Sequence, residues 1–425
     1  MLAATHMSAY ATPLIWAVAA LATAGVLFRP FRLPEPFWAM GGALLLCVAG
    51  LLPWRDALDA VARGNDVYLF LAGMMLISEL ARKTGLFDHV AALAVRSARG
   101  SARRLFVLVY GFGIAVTAFM SNDATAVVLT PAVLAATRAA RVKHPLPYLY
   151  ACAFIANAAS FVLPISNPAN LVLFGERLPP LMGWLARFAL PSAVAIVMTF
   201  VALYWTQRHA LAERIAEDVD TPPLTLQAWI TTAGIVLTGA ALLTASLHGK
   251  DLGWPTFIGG AMTLACVVAT QPRLLRPALT EVSWGVLPMV AGLFVLVAGL
   301  SQTGLTDQLA HWVRELSARE GGAAVMGAGL AGVVVGLVSN IVNNLPAGLF
   351  AASALAAGHA SETVTAAVLI GVDLGPNLSV TGSLATLLWL TALRREGHNI
   401  SAGTFLKTGA IVMPMALLPA LAVLR

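Results

Sequence analysis

Long apolar runs, separated by short polar segments, follow one another along almost the whole chain. They fall at residues 10–28, 37–53, 65–81, 147–175, 188–206, 226–246, 254–271, 284–302, 363–393 and 404–424, each near the ~20 residues that cross a bilayer as a helix. Two further apolar stretches, 104–138 and 322–359, are interrupted centrally by Ser-Asn and other polar residues, with a Pro downstream. Two apolar arms meeting at a polar tip predict a re-entrant hairpin, because polar backbone at that depth must be enclosed by protein or a watery cavity. The first run lacks the basic start and cleavage site of a signal peptide and reads as a true first span.

Composition agrees. Asp, Glu, Lys and Arg are 11% of the 425 residues and the AVILMFWYC set is 59%, where soluble proteins carry roughly a quarter charged. So few charges cannot cover a water-facing surface, and the outer face must meet the lipid bilayer. Soluble enzymes, nucleic-acid readers and secreted disulfide scaffolds are excluded. The net charge of +6 is therefore a topology signal. With the N-terminus outside, 18 of the 26 Lys and Arg lie on the inner side, as the positive-inside rule prefers. Treating 104–138 as a crossing would split its flanking basic clusters across the membrane. Both termini are expected outside a cell inner (plasma) membrane.

The two halves resemble each other. Ala72-Gly73 followed by Thr84-Gly85-Leu86 recurs as Ala291-Gly292 followed by Thr303-Gly304-Leu305, and each copy continues into an amphipathic stretch, 82–99 and 303–320. Ser121-Asn122 with Pro131 recurs as Ser339-Asn340 with Pro346, and an interrupted span follows each, at 164–170 and 373–382. The fold class expected is an all-α polytopic membrane protein, an inverted repeat of two halves. It has about ten transmembrane helices plus two re-entrant hairpins and two broken helices. The halves are 1–206 and 226–425, joined by a hydrophilic inner linker, 207–225.

Inverted repeats with interrupted helices are a transporter pattern, with the substrate near the midplane between the interruptions. The breaks supply Ser121, Asn122 and Asp123; Asn157, Ser160, Ser166, Asn167 and Asn170; Ser339, Asn340, Asn343 and Asn344; and Asp373, Asn377, Ser379, Thr381 and Ser383. These are amides and hydroxyls, joined by broken helix ends, with no Arg or Lys to hold an anion. Such a pocket suits a small, neutral, polyhydroxylated solute, or a dehydrated cation if enough oxygens converge. A carboxylate at membrane depth is costly, about 2.5–3.5 kcal/mol, and marks an ion or proton path by default. Withdrawal from water also favours its protonated form. Asp123 and Asp373 are the coupling candidates. The plainer reading has Asp123 capping the half-helix that begins at Ala124 and Asp373 tying down its broken span. Glu79 and Glu176 read as span-end carboxylates, solvated or paired. Cys47, Cys152 and Cys266 read as small apolar residues. No catalytic constellation, metal site or cofactor is expected, so energy must come from an ion gradient or a separate partner.

With these motifs in hand, the chain resembles the ion-transporter superfamily, and within it is most similar to the ArsB-type arsenite/antimonite permeases. SNDATAVVLTPAVL (121–134), SNIVNNLPAGL (339–349) and GVDLGPNLSVTGSLATLLWLTALRREG (371–397) carry the resemblance. It implies secondary active efflux of arsenite and antimonite, as neutral trihydroxides, in exchange for protons and driven by the proton gradient. It also implies a scaffold that can form a homodimer, and, as in some relatives, a soluble ATPase subunit as partner. Substrate- or ion-binding roles carry over to the Ser-Asn tips, Asn343-Asn344 and 373–383. Two departures stand out. Asp123 and Ile341 occupy the third position of each Ser-Asn motif, where sodium-coupled relatives have Thr, which favours protons. PISNPANLVLFGERLP departs from the ArsB pattern. A sodium/proton antiporter, a silicic acid exporter and a passive channel or ATPase-associated membrane subunit are the competing readings.

Overall fold

The computed structural model describes residues 10–175, 178–216 and 221–424; the span-end carboxylate Glu176 lies outside the described residues. Every named element is helical, and among the described residues the β pairing amounts to one isolated bridge, Ser101 with Arg214. Among the described residues, seven helices are long and apolar enough to cross a membrane. Two helix pairs, Trp54–Ala62 with Asn65–Lys83 and Val286–Ser301 with Leu305–Ser317, reach that length with bends of 49° and 81°. The chain is an all-helical polytopic membrane protein.

One boundary departs from the hydrophobic pattern. The run expected to reach residue 53 is helical only over Glu35–Val48. Gly50 at φ 67° turns the chain and Pro53 leads into a separate helix, Trp54–Ala62. A left-handed glycine with a proline soon after ends a helix even inside continuous apolar sequence.

The duplicated Thr-Gly-Leu signals form the same turn twice. Thr84 and Thr303 donate their hydroxyls to Leu80 O (2.8 Å) and Leu300 O (2.7 Å). Gly85 and Gly304 take φ of 76° and 82°, and the 13-residue helices Leu86–Ala98 and Leu305–Ser317 follow. The packing is reciprocal as well. Asn65–Lys83, from the first half, presses on Gly253–Thr270 from the second, where a Cβ on Gly73 would lie 2.3 Å from Thr256 O. Val286–Ser301, from the second half, presses on Glu35–Val48 from the first, where a Cβ on Gly292 would lie 2.6 Å from the Ala39 carbonyl carbon. Without a hydrophobic drive between helices in lipid, such close approach through small residues is what associates them.

The interrupted stretches each fold as a pair of arms. Each has a long first arm, Ala102–Phe119 or Gly321–Val342, itself long and apolar enough to span. The second arms are Asn122–Ala124 continuing to Ala139, and Asn344–Ala357. Gly321–Val342 lies against Glu362–Leu374 and the turn that follows it, through Gly332 with Gly371 and Gly336 with Gly375. The linker does more than connect. The Ile215 N–H donates to Gly100 O (3.0 Å) and the Ala216 N–H to Ala140 O (2.9 Å), so it straps both ends of the first interrupted unit.

Candidate functional site

The first tip forms because Ala102–Phe119 stops two residues before a serine that caps the next helix. Ser121 is extended, and its Oγ accepts the Ala124 N–H at 3.2 Å. Asn122 Oδ1 accepts the Asp123 N–H at 2.9 Å. The hydroxyls of Thr117 and Thr125 lie 2.8 Å apart across the arms. A π-helical turn, Thr125–Leu129, follows. The capping role offered to Asp123 by the sequence belongs to Ser121. The Asp123 carboxylate meets no hydrogen-bond partner among the described residues, while lining a small pocket at the tip.

Both broken spans are rebuilt by their own side chains. In the first, Asn170 Nδ2 donates to Ser160 O (2.9 Å), Leu163 O and Pro164 O (3.3 Å each), satisfying carbonyls freed by the break. Ser166 Oγ donates to Ala118 O at 3.0 Å. Asn167 Oδ1 caps Pro168–Phe174 through the Ala169 N–H (3.0 Å), and its Nδ2 donates to Asp373 Oδ1 at 2.8 Å. In the second, Ser383 Oγ caps Leu384–Arg395 through the Ala385 N–H (3.1 Å). The breaks are also joined where Asn157 Nδ2 donates to Asn377 Oδ1 at 3.0 Å and Asn377 Nδ2 donates to Phe154 O at 3.2 Å.

The second tip is tied to the second break. Asn340 Nδ2 donates to Gly336 O (2.8 Å) and Gly375 O (2.9 Å), and its Oδ1 accepts both Ser379 N–H (3.0 Å) and Ser379 Oγ–H (2.8 Å). Thr381 Oγ1 donates to Asn340 O at 2.9 Å, and Asn343 Nδ2 donates to Thr381 O at 3.1 Å. Ser339 turns back on its own helix, to Val335 O. Asn344 gives its N–H to Gly382 O (2.8 Å), but its Oδ1 is buried without a partner, as is Asp373 Oδ2.

What converges is therefore narrower than what the sequence offers. A pocket of ≈ 10 Å³ is lined by Asn122 and Asp123 of the first tip, Asn167 of the first break, Asn344 of the second tip and Ser383 of the second break. Leu71, Val286 and Leu345 form apolar walls. All four interruptions contribute, and no Arg, Lys or His is among the lining residues. That volume holds about one water. Ser121 reaches the cleft beside it. Asn340, Asn343, Asn377, Ser379 and Thr381 spend their polar atoms on the breaks, Asn170 spends its Nδ2 there while its Oδ1 is left without a partner, and Ser339 bonds its own helix. Ser383 joins the pocket without standing out from the polar run that holds it, and the apolar walls carry no motif at all.

Two larger spaces end near this pocket. A vestibule of ≈ 950 Å³ is lined by Asp56, Asp59, Arg63, Arg187 and Glu362, and reaches down to Val67, Leu171 and Leu349. These are one helical turn from Leu71, Pro168 and Leu345 of the pocket. On the other side a cleft of ≈ 70 Å³ runs from Ser121 and Asp123 past Met74, Met75 and Ser78 to Glu79, Glu281 and Ser283. At its mouth Arg82 donates to Glu79 Oε2 (3.0 Å) and Oε1 (2.5 Å) and to Glu281 Oε2 (2.7 Å), and Lys83 pairs with Glu281 Oε1 at 2.5 Å. Lys83 and then Arg82 hold the Glu281 carboxyl below its ordinary range. Glu79 is thus a paired carboxylate. Cys47, Cys152 and Cys266 are free thiols, two of them buried, and no group of three or more His, Cys, Asp or Glu among the described residues could hold a metal.

Comparison with known proteins matches residues 14–372 to a family model described as "CitMHS: Citrate transporter". The chain is 30% identical to the "Arsenical pump membrane protein" of Escherichia coli K12, covering 94% of this chain and 95% of that one. It is 29% identical to the protein of the same name from Yersinia enterocolitica, covering 85% and 86%. Among solved structures, the YdaH transporter of Alcanivorax borkumensis aligns with a TM-score of 0.57 at 17% identity, over 97% of both chains, a likeness of fold.

Proposed function

Because the chain belongs to the citrate-transporter (CitMHS) family and resembles the arsenical pump membrane proteins along nearly its whole length, we propose that it exports arsenite and antimonite as neutral trihydroxides in exchange for protons. The observation that carries this reading is the donor set of the central pocket: three amides, one hydroxyl and one carboxylate, with no cation among its lining residues. A citrate anion would bring several charges into this site, each costing several kcal/mol to desolvate without a paired cation. A neutral hydroxide meets amides and hydroxyls that both donate and accept.

In this reading the halves are inverted, the tips are re-entrant and enter from opposite faces, and the vestibule with Asp59 and Arg187 opens outside. The basic cluster at Arg82 and Lys83 then marks the inside. A pocket with room for one water is the closed stage of the cycle. Opening along the interface between helix Asn65–Lys83 and the tips admits the solute from within, and the reverse opening releases it outside. A proton returns on Asp123 or Asp373.

The test uses inside-out vesicles with an imposed pH gradient and neither ATP nor sodium. Arsenite uptake is followed for the natural chain, Asp123→Asn and Asp373→Asn. Uphill uptake that collapses with the gradient and fails in at least one variant supports the carrier. Mere equilibration points to a channel or an ATPase-linked subunit.

A second reading rests on the pocket's size and its oxygens. Asp123 and the unpartnered Asn344 Oδ1 would suit one small cation, which makes a sodium/proton antiporter of the same scaffold. Sodium-dependent proton movement without arsenite would select it.

A further inference from the structure

The cleft between the Asp123 tip and the Arg82–Lys83 cluster has a chemistry of its own. Its ≈ 70 Å³ is room for several waters, at about 10–15 Å³ each. Ser121 and Asp123 line its end at the tip, and Ser78, Glu79, Glu281 and Ser283 line the end toward Arg82, with Met74, Met75, Val127 and Val128 among its apolar walls. Helix Asn65–Lys83 forms one wall throughout. Leu71 borders the central pocket and Glu79 stands eight residues on, about 12 Å along the axis. The Glu79 side chain is only 9% exposed, and its position inside the cleft is not one that surface ion pairing requires.

We propose that Glu79 is the inner station of the proton path that serves Asp123, and that Arg82, shared between Glu79 and Glu281, is the cation that resets it. The inference rests on the proton-coupled reading above. Asp123, protonated from the vestibule side, gives up its proton through water in the cleft to the Glu79 carboxylate. Asp123 becomes the anion and Glu79 the neutral acid. Arg82 then leans on Glu281, its second partner at 2.7 Å, until Glu79 passes the proton to inner bulk water and recovers its pair with Arg82. One proton enters, one leaves, and no other group changes charge. The charged groups around Glu79 are Arg82 on its own helix, Glu281 across the cleft and, through Glu281, Lys83. Arg82 also acts on the Asp88 carboxyl of the next helix.

Two readouts on purified protein in liposomes separate this role from a structural one. The first is arsenite accumulation driven by a pH gradient. The second is arsenite–arsenite counterflow without a gradient, which completes no proton cycle. Glu79→Gln keeps the shape and an acceptor for Arg82. It is expected to lower gradient-driven accumulation by about tenfold or more, in the range that a positioned proton-transfer group supplies, and to leave counterflow within about twofold. Glu79→Asp restores accumulation with a changed dependence on inner pH. Accumulation at the natural level in Glu79→Gln, or counterflow falling in step with accumulation, overturns the proposal. If Glu79→Gln does not fold, Glu79→Asp decides: an unchanged inner-pH profile overturns it equally. If the natural chain shows counterflow but no gradient-driven accumulation, the proton-coupled reading itself fails and this inference falls with it.

Discussion

Asn167 and Asp373, 206 residues apart in sequence, are joined by a 2.8 Å hydrogen bond from Asn167 Nδ2 to Asp373 Oδ1. The same asparagine caps the half-helix after the first break with its Oδ1, so one side chain holds the two broken spans in register. Asn167→Ala leaves Asp373 with neither oxygen bonded and is expected to cost about 1–3 kcal/mol, read as a lower Tm of the detergent-solubilised protein. Asp373→Asn keeps an acceptor for Asn167 and should melt near the natural chain. Equal Tm values for Asn167→Ala and the natural chain would remove the bond from the account.

The approach of Gly371 to Gly332 leaves no room for a methyl group, since a Cβ there would lie 2.1 Å from Gly332 O. Backbone cannot step aside as a side chain can. Gly371→Ala should destabilise by about 1–3 kcal/mol or more, whereas Gly41→Ala, with nothing within 4 Å of the added carbon, should be near neutral. Thermal melts of the two variants side by side check this.

Sidedness can be read chemically. In a cysteine-free background, Ser353→Cys in the vestibule should react with a membrane-impermeant thiol reagent added outside intact cells. Ser283→Cys in the narrow cleft should react only in inside-out vesicles. The opposite pattern would invert the topology and with it the direction of the proposed cycle.

That background is itself a prediction. Cys47, Cys152 and Cys266 lie outside the central pocket and bind nothing together, so replacing all three by Ser or Ala should leave arsenite transport largely intact. Abolished transport would mean recognition through thiolates, not through hydroxyls.

Glu281 makes a small pH dependence at the mouth of the narrow cleft. Its carboxyl is held below the ordinary glutamate range by Lys83 and Arg82. The stability it lends is present above that ordinary value, about 4.3, and is lost as pH falls through its lower folded value. Tm measured downward from neutral pH should show a fall in this acid window that Glu281→Gln lacks. The difference should be slight, because the side chain is 46% exposed and screened by water.

Local chemistry made much of this protein legible before folding. The apolar runs demanded a membrane. Thr84-Gly85 and Thr303-Gly304 announced a duplicated turn, and Ser121-Asn122 marked the first tip, because hydrophobic length and left-handed glycine act over a few residues, whereas Ser339-Asn340 stands inside the arm that runs to Val342 and the second break comes at Asn343. The four polar interruptions were visible for the same reason. Which of their side chains face the pocket was decided by the tertiary structure. Asn340 and Asn343 bond the second break, Asn170 repairs the first, and Asn377 bonds Asn157 and Phe154 O. Asn122, Asp123, Asn167, Asn344 and Ser383 meet around one small space. An amide beside a broken helix satisfies the nearest loose backbone group or projects into the gap. The choice depends on which helix from the other half of the chain stands opposite, a fact that no local spacing contains.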